Sequence, residues 1–97
     1  MRFSLIIPTF NEEKTILEVI QKSKPYVDEI IIADDISTDN TVKIVEKAGV
    51  KVVLNTGRSG QEFNIANAIP YATGDIILTM DADLYPDGRV RCRQLHH

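Results

Sequence analysis

The sequence predicts an α/β fold, a parallel Rossmann-like sheet of about four strands in the order β-α-β-α-β-α-β. Two observations carry that prediction. Four short apolar runs rich in Ile and Val recur along the chain: Phe3 to Ile7, Ile30 to Ala33, Val50 to Leu54 and Ile76 to Met80. They are continuous rather than alternating, as strands of a parallel sheet covered on both faces must be. Between them lie amphipathic stretches with tight connections, which calls for right-handed crossovers between parallel strands.

Each connecting stretch has helical spacing. After Asn11, a good N-cap residue, Ile16, Val19 and Ile20 fall on one face, and Pro25 stops the helix. Val42, Val45 and Ala48 form the second stripe, with Ser37, Thr38 or Asp39 as caps and Gly49 as terminator. Phe63, Ala66, Asn67 and Ile69 give a weaker third stripe, shortened by Pro70. Few residues follow Asp83, too few for another crossover, so the edge of the fourth strand is expected to be uncovered and to invite self-association. The chain divides into a body over 1–86 and an atypical tail over 87–97.

Composition narrows the function. A chain of 97 residues makes one small domain, and 43% hydrophobic residues suffice for a core. A net charge of −3, with basic residues scattered except for Arg89, Arg91 and Arg93, argues against a nucleic acid partner. No apolar run approaches the ~20 residues of a membrane-spanning helix, and Cys92 has no partner for a disulfide. A cytoplasmic location is expected. His96 and His97 lack the further Cys or His that a zinc site would need. Neither G-x-G-x-x-G nor G-x-x-x-x-G-K-[ST] is present, which removes dinucleotide binding and P-loop phosphate cradling.

What remains is acidic. Three strands run into carboxylates, at Glu12-Glu13, Asp34-Asp35 and Asp81-Ala82-Asp83. In an open α/β sheet, ligands bind beyond the carboxyl ends of the strands where strand order reverses. If the first and fourth strands are neighbours, that point lies between Pro8-Thr9-Phe10-Asn11 and Asp81-Ala82-Asp83, with Asp34-Asp35 flanking it. Paired carboxylates there suit a hard divalent cation, Mg²⁺ or Mn²⁺. The cation in turn would reverse the field for a diphosphate-containing substrate. Asp34 or Asp35 is placed to accept hydrogen bonds from a nucleobase imide or a ribose hydroxyl, while Ser37, Thr38 and Asp39 read better as helix caps. Arg58, in the Gly57-Arg58-Ser59-Gly60 loop, is a candidate phosphate contact. Asp75 opens a strand at the opposite edge and is left out of the site.

Together these segments resemble the family 2 glycosyltransferases of the GT-A fold, including the dolichol-phosphate mannosyltransferase-like branch. The matching residues are Ile6-Ile7-Pro8-Thr9-Phe10-Asn11-Glu12-Glu13, Asp34-Asp35-Ile36-Ser37-Thr38-Asp39-Asn40-Thr41, and Ala72-Thr73-Gly74-Asp75-Ile76-Ile77 through Asp81-Ala82-Asp83. The resemblance covers Phe3 to Pro86 and implies the nucleotide-sugar-binding half of a truncated GT-A domain. It implies an inverting, metal-dependent transfer of sugar from a nucleotide donor to an acceptor, such as a polyprenyl phosphate or a glycan. By the same resemblance Pro8, Phe10 and Glu12 line the nucleotide pocket, and Asp34 or preferably Asp35 meets the base. Asp81 faces the ribose or sugar, and Asp83 is the principal metal ligand with Asp81 beside it. The family's basic loop and Asn-x-Gly are replaced here by Gly60 to Ile69, with Arg58 and Asn67 as substitutes. The acceptor half and general base are expected beyond the end of this chain, which alone should bind donor but turn over little. The full-length enzyme would sit at the cytoplasmic membrane face.

Two rival readings are weaker. A nucleotidyltransferase-like domain would carry a Gly- and basic-rich loop after strand one, where Pro8 to Glu13 has no Gly. A non-enzymatic, Mg²⁺-binding receiver-like signalling module would cluster its acids after the first and third strands rather than the second and fourth.

Overall fold

The computed structural model describes residues 1–84 and 86–94, with the backbone alone for Val90–Gln94; His96 and His97 lie outside the described residues. The element order is β1 (Phe3–Thr9), α1 (Ile16–Ser23), β2 (Glu29–Asp34), α2 (Thr41–Lys47), β3 (Lys51–Leu54), α3 (Gln61–Ala68), β4 (Ile76–Leu84) and β5 (Val90–Gln94). Short 3-10 turns at Lys24–Tyr26 and Ile69–Tyr71 follow α1 and α3, each carrying the proline that ends its helix. The sheet order is β3-β2-β1-β4-β5. β1 pairs in parallel with both β2 and β4, and β2 in parallel with β3. The four expected parallel strands are therefore present. The order reverses beside β1, which sets the crevice between the carboxyl ends of β1 and β4.

Alternation along β1 shows why its apolar run is unbroken. Leu5 and Ile7 face a layer with Ile16, Val19 and Ile20 of α1 and Val45 of α2. Ile6 faces the other way, onto Ile31, Ala33, Val53 and Ala68 of α3. Burial of each Leu or Ile contributes on the order of 1.5–3 kcal/mol, so both layers hold the central strand. α2 ends in a Schellman motif: Gly49 has φ +75°, its N–H donates to Glu46 O, and the Val50 N–H donates to Val45 O.

The sequence reading needs correction at several points. A fifth strand pairs antiparallel with β4, so the β4 edge is covered rather than open. A hairpin strand needs only a short turn, not a crossover, which is why so little chain sufficed. This strand comes from the tail over 87–97. The third helix buries Asn64 and Ala68, with Ile65 and Ile69 partly buried, while Phe63 and Ala66 point outward. Asn11 does not cap α1, which starts four residues later than that role would need. Its backbone is left-handed (φ 54°), and its Oδ1 accepts the Thr38 and Asp39 N–H groups across the crevice wall. No helix among the described residues is long and apolar enough to cross a membrane.

Candidate functional site

Two loops build one wall of the crevice by exchanging hydrogen bonds. The Asn11, Glu12 and Glu13 N–H groups donate to Ser37 Oγ, Thr41 Oγ1 and Asp39 Oδ2. Asp39 Oδ1 also accepts the Thr41 N–H (2.9 Å) and hydroxyl. The Ser-Thr-Asp-Asn-Thr run thus holds the turn after β1 in place and so positions Glu12. The Asn40 side chain makes no capping hydrogen bond, and Asp39 serves the helix start from one residue earlier.

The acidic pairs separate into structural and presented members. Asp34 is 0% exposed. It accepts the Thr9 hydroxyl (2.7 Å), the Ser37 N–H (2.8 Å) and the Ser37 hydroxyl (2.6 Å), and it does not line the crevice. Asp35 does line it. Its Oδ1 accepts Asn55 Nδ2 (3.0 Å), and its Oδ2 accepts Ser59 Oγ and the Gly60 N–H (both 3.1 Å). The Asn55 amide first, then the Gly60 N–H, hold its carboxyl below the usual value against a smaller cost of burial. Between Asp35 and Ser37, Ile36 sits in the left-handed region (φ 58°), a strained conformation for a β-branched residue.

β4 continues through Asp81 and Asp83, past the apolar run where the sequence placed its end, and its pairing with β5 is irregular between Met80 and Leu84. Such irregularities re-aim side chains next to sites. Ala82 turns into the core, so the flanking Asp81 and Asp83 share the other side and both line the crevice. The Thr15 hydroxyl bonds to Ala82 O and ties this strand end to the approach of α1.

The crevice has a volume of about 290 Å³ and is lined by Pro8, Thr9, Phe10, Glu12, Asp35, Gln61, Asn64, Asp81, Ala82 and Asp83. Of the residues singled out in the sequence, it brings together Pro8, Phe10, Glu12, Asp35, Asp81 and Asp83. It leaves out Asp34, and also Arg58, whose guanidinium stacks on the exposed Phe63 ring 5.1 Å away. Asn67 braces the loop after β3, donating to Leu54 O and accepting from the Thr56 hydroxyl. Sequence reasoning missed Asn55, Gln61 and Asn64. Asn55 had a signal, since an Asn two residues before Gly57 is a turn-former.

The lining carries four carboxylates and no Lys or Arg. Burial, then Asp83, Asp39 and Asp81, raise the Glu12 carboxyl above its ordinary 4.5. No three His, Cys, Asp or Glu side chains among the described residues form a closed metal cage. One or two carboxylates completed by phosphate and water oxygens is how Mg²⁺ and Mn²⁺ are commonly held, and Asp81 with Asp83 fits that donor set.

Glu12→Gln tests the cost of a charge there, from burial first and from the neighbouring carboxylates second. A raised carboxyl loses its proton later in the folded than in the unfolded chain, so folding is penalised as pH rises from about 4.5 through the folded value. The variant should melt roughly 2–4 °C higher than wild type at pH 7 without divalent cation, and equally at pH 4, in calorimetric scans. Equal melting at both pH values would show that neither burial nor the neighbouring carboxylates oppose ionisation of Glu12.

The family model for glycosyl transferase family 2 matches residues 4–95. A poly(ribitol-phosphate) β-N-acetylglucosaminyltransferase of Staphylococcus aureus is 37% identical over 97 aligned residues, covering 88% of this chain and 17% of the relative. An undecaprenyl-phosphate 4-deoxy-4-formamido-L-arabinose transferase of Pseudomonas fluorescens is 34% identical, covering 84% of this chain and 27% of the relative. Glucosyl-3-phosphoglycerate synthase of Mycobacterium tuberculosis, solved with Mn²⁺, UDP and glucosyl-3-phosphoglycerate, superposes with a TM-score of 0.80 at 32% identity. That match covers 87% of this chain and 34% of the synthase. The chain thus spans about a third or less of the proteins it matches. The superposition matches its four parallel strands and flanking helices to a GT-A, Rossmann-like neighbour, and with the family model matched over nearly its whole length the chain belongs to glycosyl transferase family 2.

Proposed function

We propose that this chain is the donor-binding part of a metal-dependent, inverting glycosyltransferase. The observation that carries the reading is a crevice lined by four carboxylates and no Lys or Arg side chain, at the strand-order reversal of a family 2 sheet. A field of that sign repels a nucleoside diphosphate unless a positive ion intervenes. Asp83, with Asp81 beside it, would hold a divalent metal, which would supply positive charge against the donor's diphosphate and against the charge that grows there on departure. Mn²⁺ and UDP occupy the crystallised mycobacterial synthase, which supports both ligand classes.

In this scheme Pro8 and Phe10 form a wall of the nucleotide pocket. Asp35, kept ionised by Asn55 and Gly60, accepts from the base, and Asp81 lies on the ribose and sugar side. Arg58 would reach a phosphate only by leaving the Phe63 ring. In the transfer itself, an acceptor oxygen, a glycan hydroxyl or a polyprenyl phosphate oxygen, bonds to the anomeric carbon. The bond from that carbon to the donor phosphate oxygen breaks, its electron pair leaves with the diphosphate, and a hydroxyl acceptor passes its proton to a base whereas an ionised phosphate has none to lose. The proposal assigns donor binding to the present residues and leaves the acceptor pocket and base to others. The named relatives support a polyprenyl phosphate or a polymeric glycan as acceptor, and a polyprenyl acceptor would place the full-length enzyme's action at a membrane face, here proposed to be the cytoplasmic one.

Calorimetric titration of the chain with UDP and GDP, with Mn²⁺ and then with excess EDTA, tests this. Binding with metal that weakens at least about a hundredfold on chelation is expected. Absence of binding by either nucleotide, or binding indifferent to EDTA, would overturn the proposal.

A further inference from the structure

Asn64 on α3 lines the crevice and is only 2% exposed. Its Nδ2 donates to the Ala33 carbonyl, which orients the amide and commits its donor side to β2. Its Oδ1 has no hydrogen-bond partner among the described residues. Buried acceptors are ordinarily satisfied, so an unmet one on a residue that lines a cavity asks what fills it.

Connectivity specifies which part of an occupant would meet it. The Asn64 N–H donates to Gly60 O (2.9 Å), and the Gly60 N–H donates to Asp35 Oδ2 (3.1 Å), so one residue links Asn64 to Asp35. Asn64 is bonded to β2, while Asp81 and Asp83 stand on β4, with β1 between them. Neighbouring strands lie ~4.8 Å apart, so the two ends of the crevice are on the order of 10 Å from each other. The β2 end therefore offers two acceptors, the Asp35 carboxylate and the Asn64 Oδ1, away from the acids expected to hold metal. A diphosphate carries only acceptors and gains nothing there. A nucleobase edge, with its imide or amine N–H groups, supplies the missing donors.

We propose that Asn64 Oδ1 accepts a hydrogen bond from a nucleobase N–H and, with Asp35, makes the β2 end of the crevice the part that discriminates among bases. This rests on the nucleotide-binding reading above. A pocket built to receive a donor rejects a ligand without one sharply, because the buried acceptor is then left unpaired.

The test is titration of wild type and Asn64→Ala with UDP, GDP, CDP, ADP and inorganic pyrophosphate, all with Mn²⁺. Wild type should bind its best nucleotide at least tenfold more tightly than pyrophosphate. The variant should lose about tenfold on that nucleotide, hold pyrophosphate within twofold, and show a narrower spread among the four bases. An unchanged nucleotide affinity, or nucleotide and pyrophosphate weakening together, would reduce Asn64 to packing and overturn the inference. If the variant does not fold by circular dichroism, the wild-type base comparison decides, and a spread below threefold overturns it. Wild-type protein that binds none of these probes removes the nucleotide reading along with this one. Normal wild-type binding with an indifferent variant removes this one alone.

Discussion

Asp83→Ala should lose at least about a hundredfold in Mn²⁺-dependent affinity for UDP or GDP, while melting within about 2 °C of wild type. The two halves of this expectation have separate origins. Asp83 stands exposed on the irregular segment of β4, outside both apolar layers, so its truncation leaves no cavity. Its charge also helps to hold the Glu12 carboxyl up, and removing it relieves that repulsion. For the ligand the balance is opposite. A hard cation held by only two carboxylates loses half of its protein charge, and a hundredfold is the ~3 kcal/mol that such a loss readily reaches. Residual nucleotide binding in the variant should be the same with and without Mn²⁺. Undiminished metal dependence in calorimetry would show that Asp83 is not a ligand.

Gly74→Ala should destabilise the fold by roughly 2–3 kcal/mol, the range of backbone overpacking, and lower the melting temperature by about 10–20 °C. A Cβ at Gly74 would sit 2.5 Å from Ser4 Oγ and 2.8 Å from both Arg2 O and Ser4 N. Two of those atoms are backbone at the start of β1 and cannot swing aside. The surroundings are also tightly bonded. The Gly74 N–H donates to Ser4 Oγ (2.8 Å), and Ser4 in turn donates to Glu29 Oε1 (2.6 Å). The Thr73 N–H and hydroxyl reach the same Glu29 carboxylate, and Asp75 exchanges backbone and side-chain bonds with Arg2. Gly57→Ala is the control, since its nearest foreign atom lies 3.7 Å away, an ordinary contact. A melting change below 2 °C for Gly74→Ala would mean that β1 and β4 are not latched there.

The parallel core was legible because unbroken Ile-rich runs leave few alternatives, and acids after such runs point to one rim. Asp35, Asp81 and Asp83 share that rim in the structure. The difference between Asp34 and Asp35 was not legible. Adjacent strand residues point to opposite sides, and which side meets Thr9 and Ser37 depends on pairing with β1. β5 was missed because its partner is chosen by a hairpin register, and its Arg- and Cys-containing sequence carries no apolar run. α3 was misphased because Asn64, a polar residue, holds one of the two buried places on that helix. A hydrophobic pattern cannot find a position filled for its hydrogen bond. Asn11 was misassigned for a related reason, since its capping preference is expressed toward the loop after β2 instead of toward α1.

The latch around Gly74 and the acidic rim stand at opposite ends of the same strands. Substitutions that retune what the proposed crevice holds can therefore accumulate in the loops after β1, β2 and β3 while the far end keeps the sheet assembled. The Ala-Thr-Gly-Asp signature belongs to architecture rather than to chemistry, and so it should travel unchanged between proteins whose sugars and bases differ. Selection on specificity and selection on folding can act on this domain almost independently.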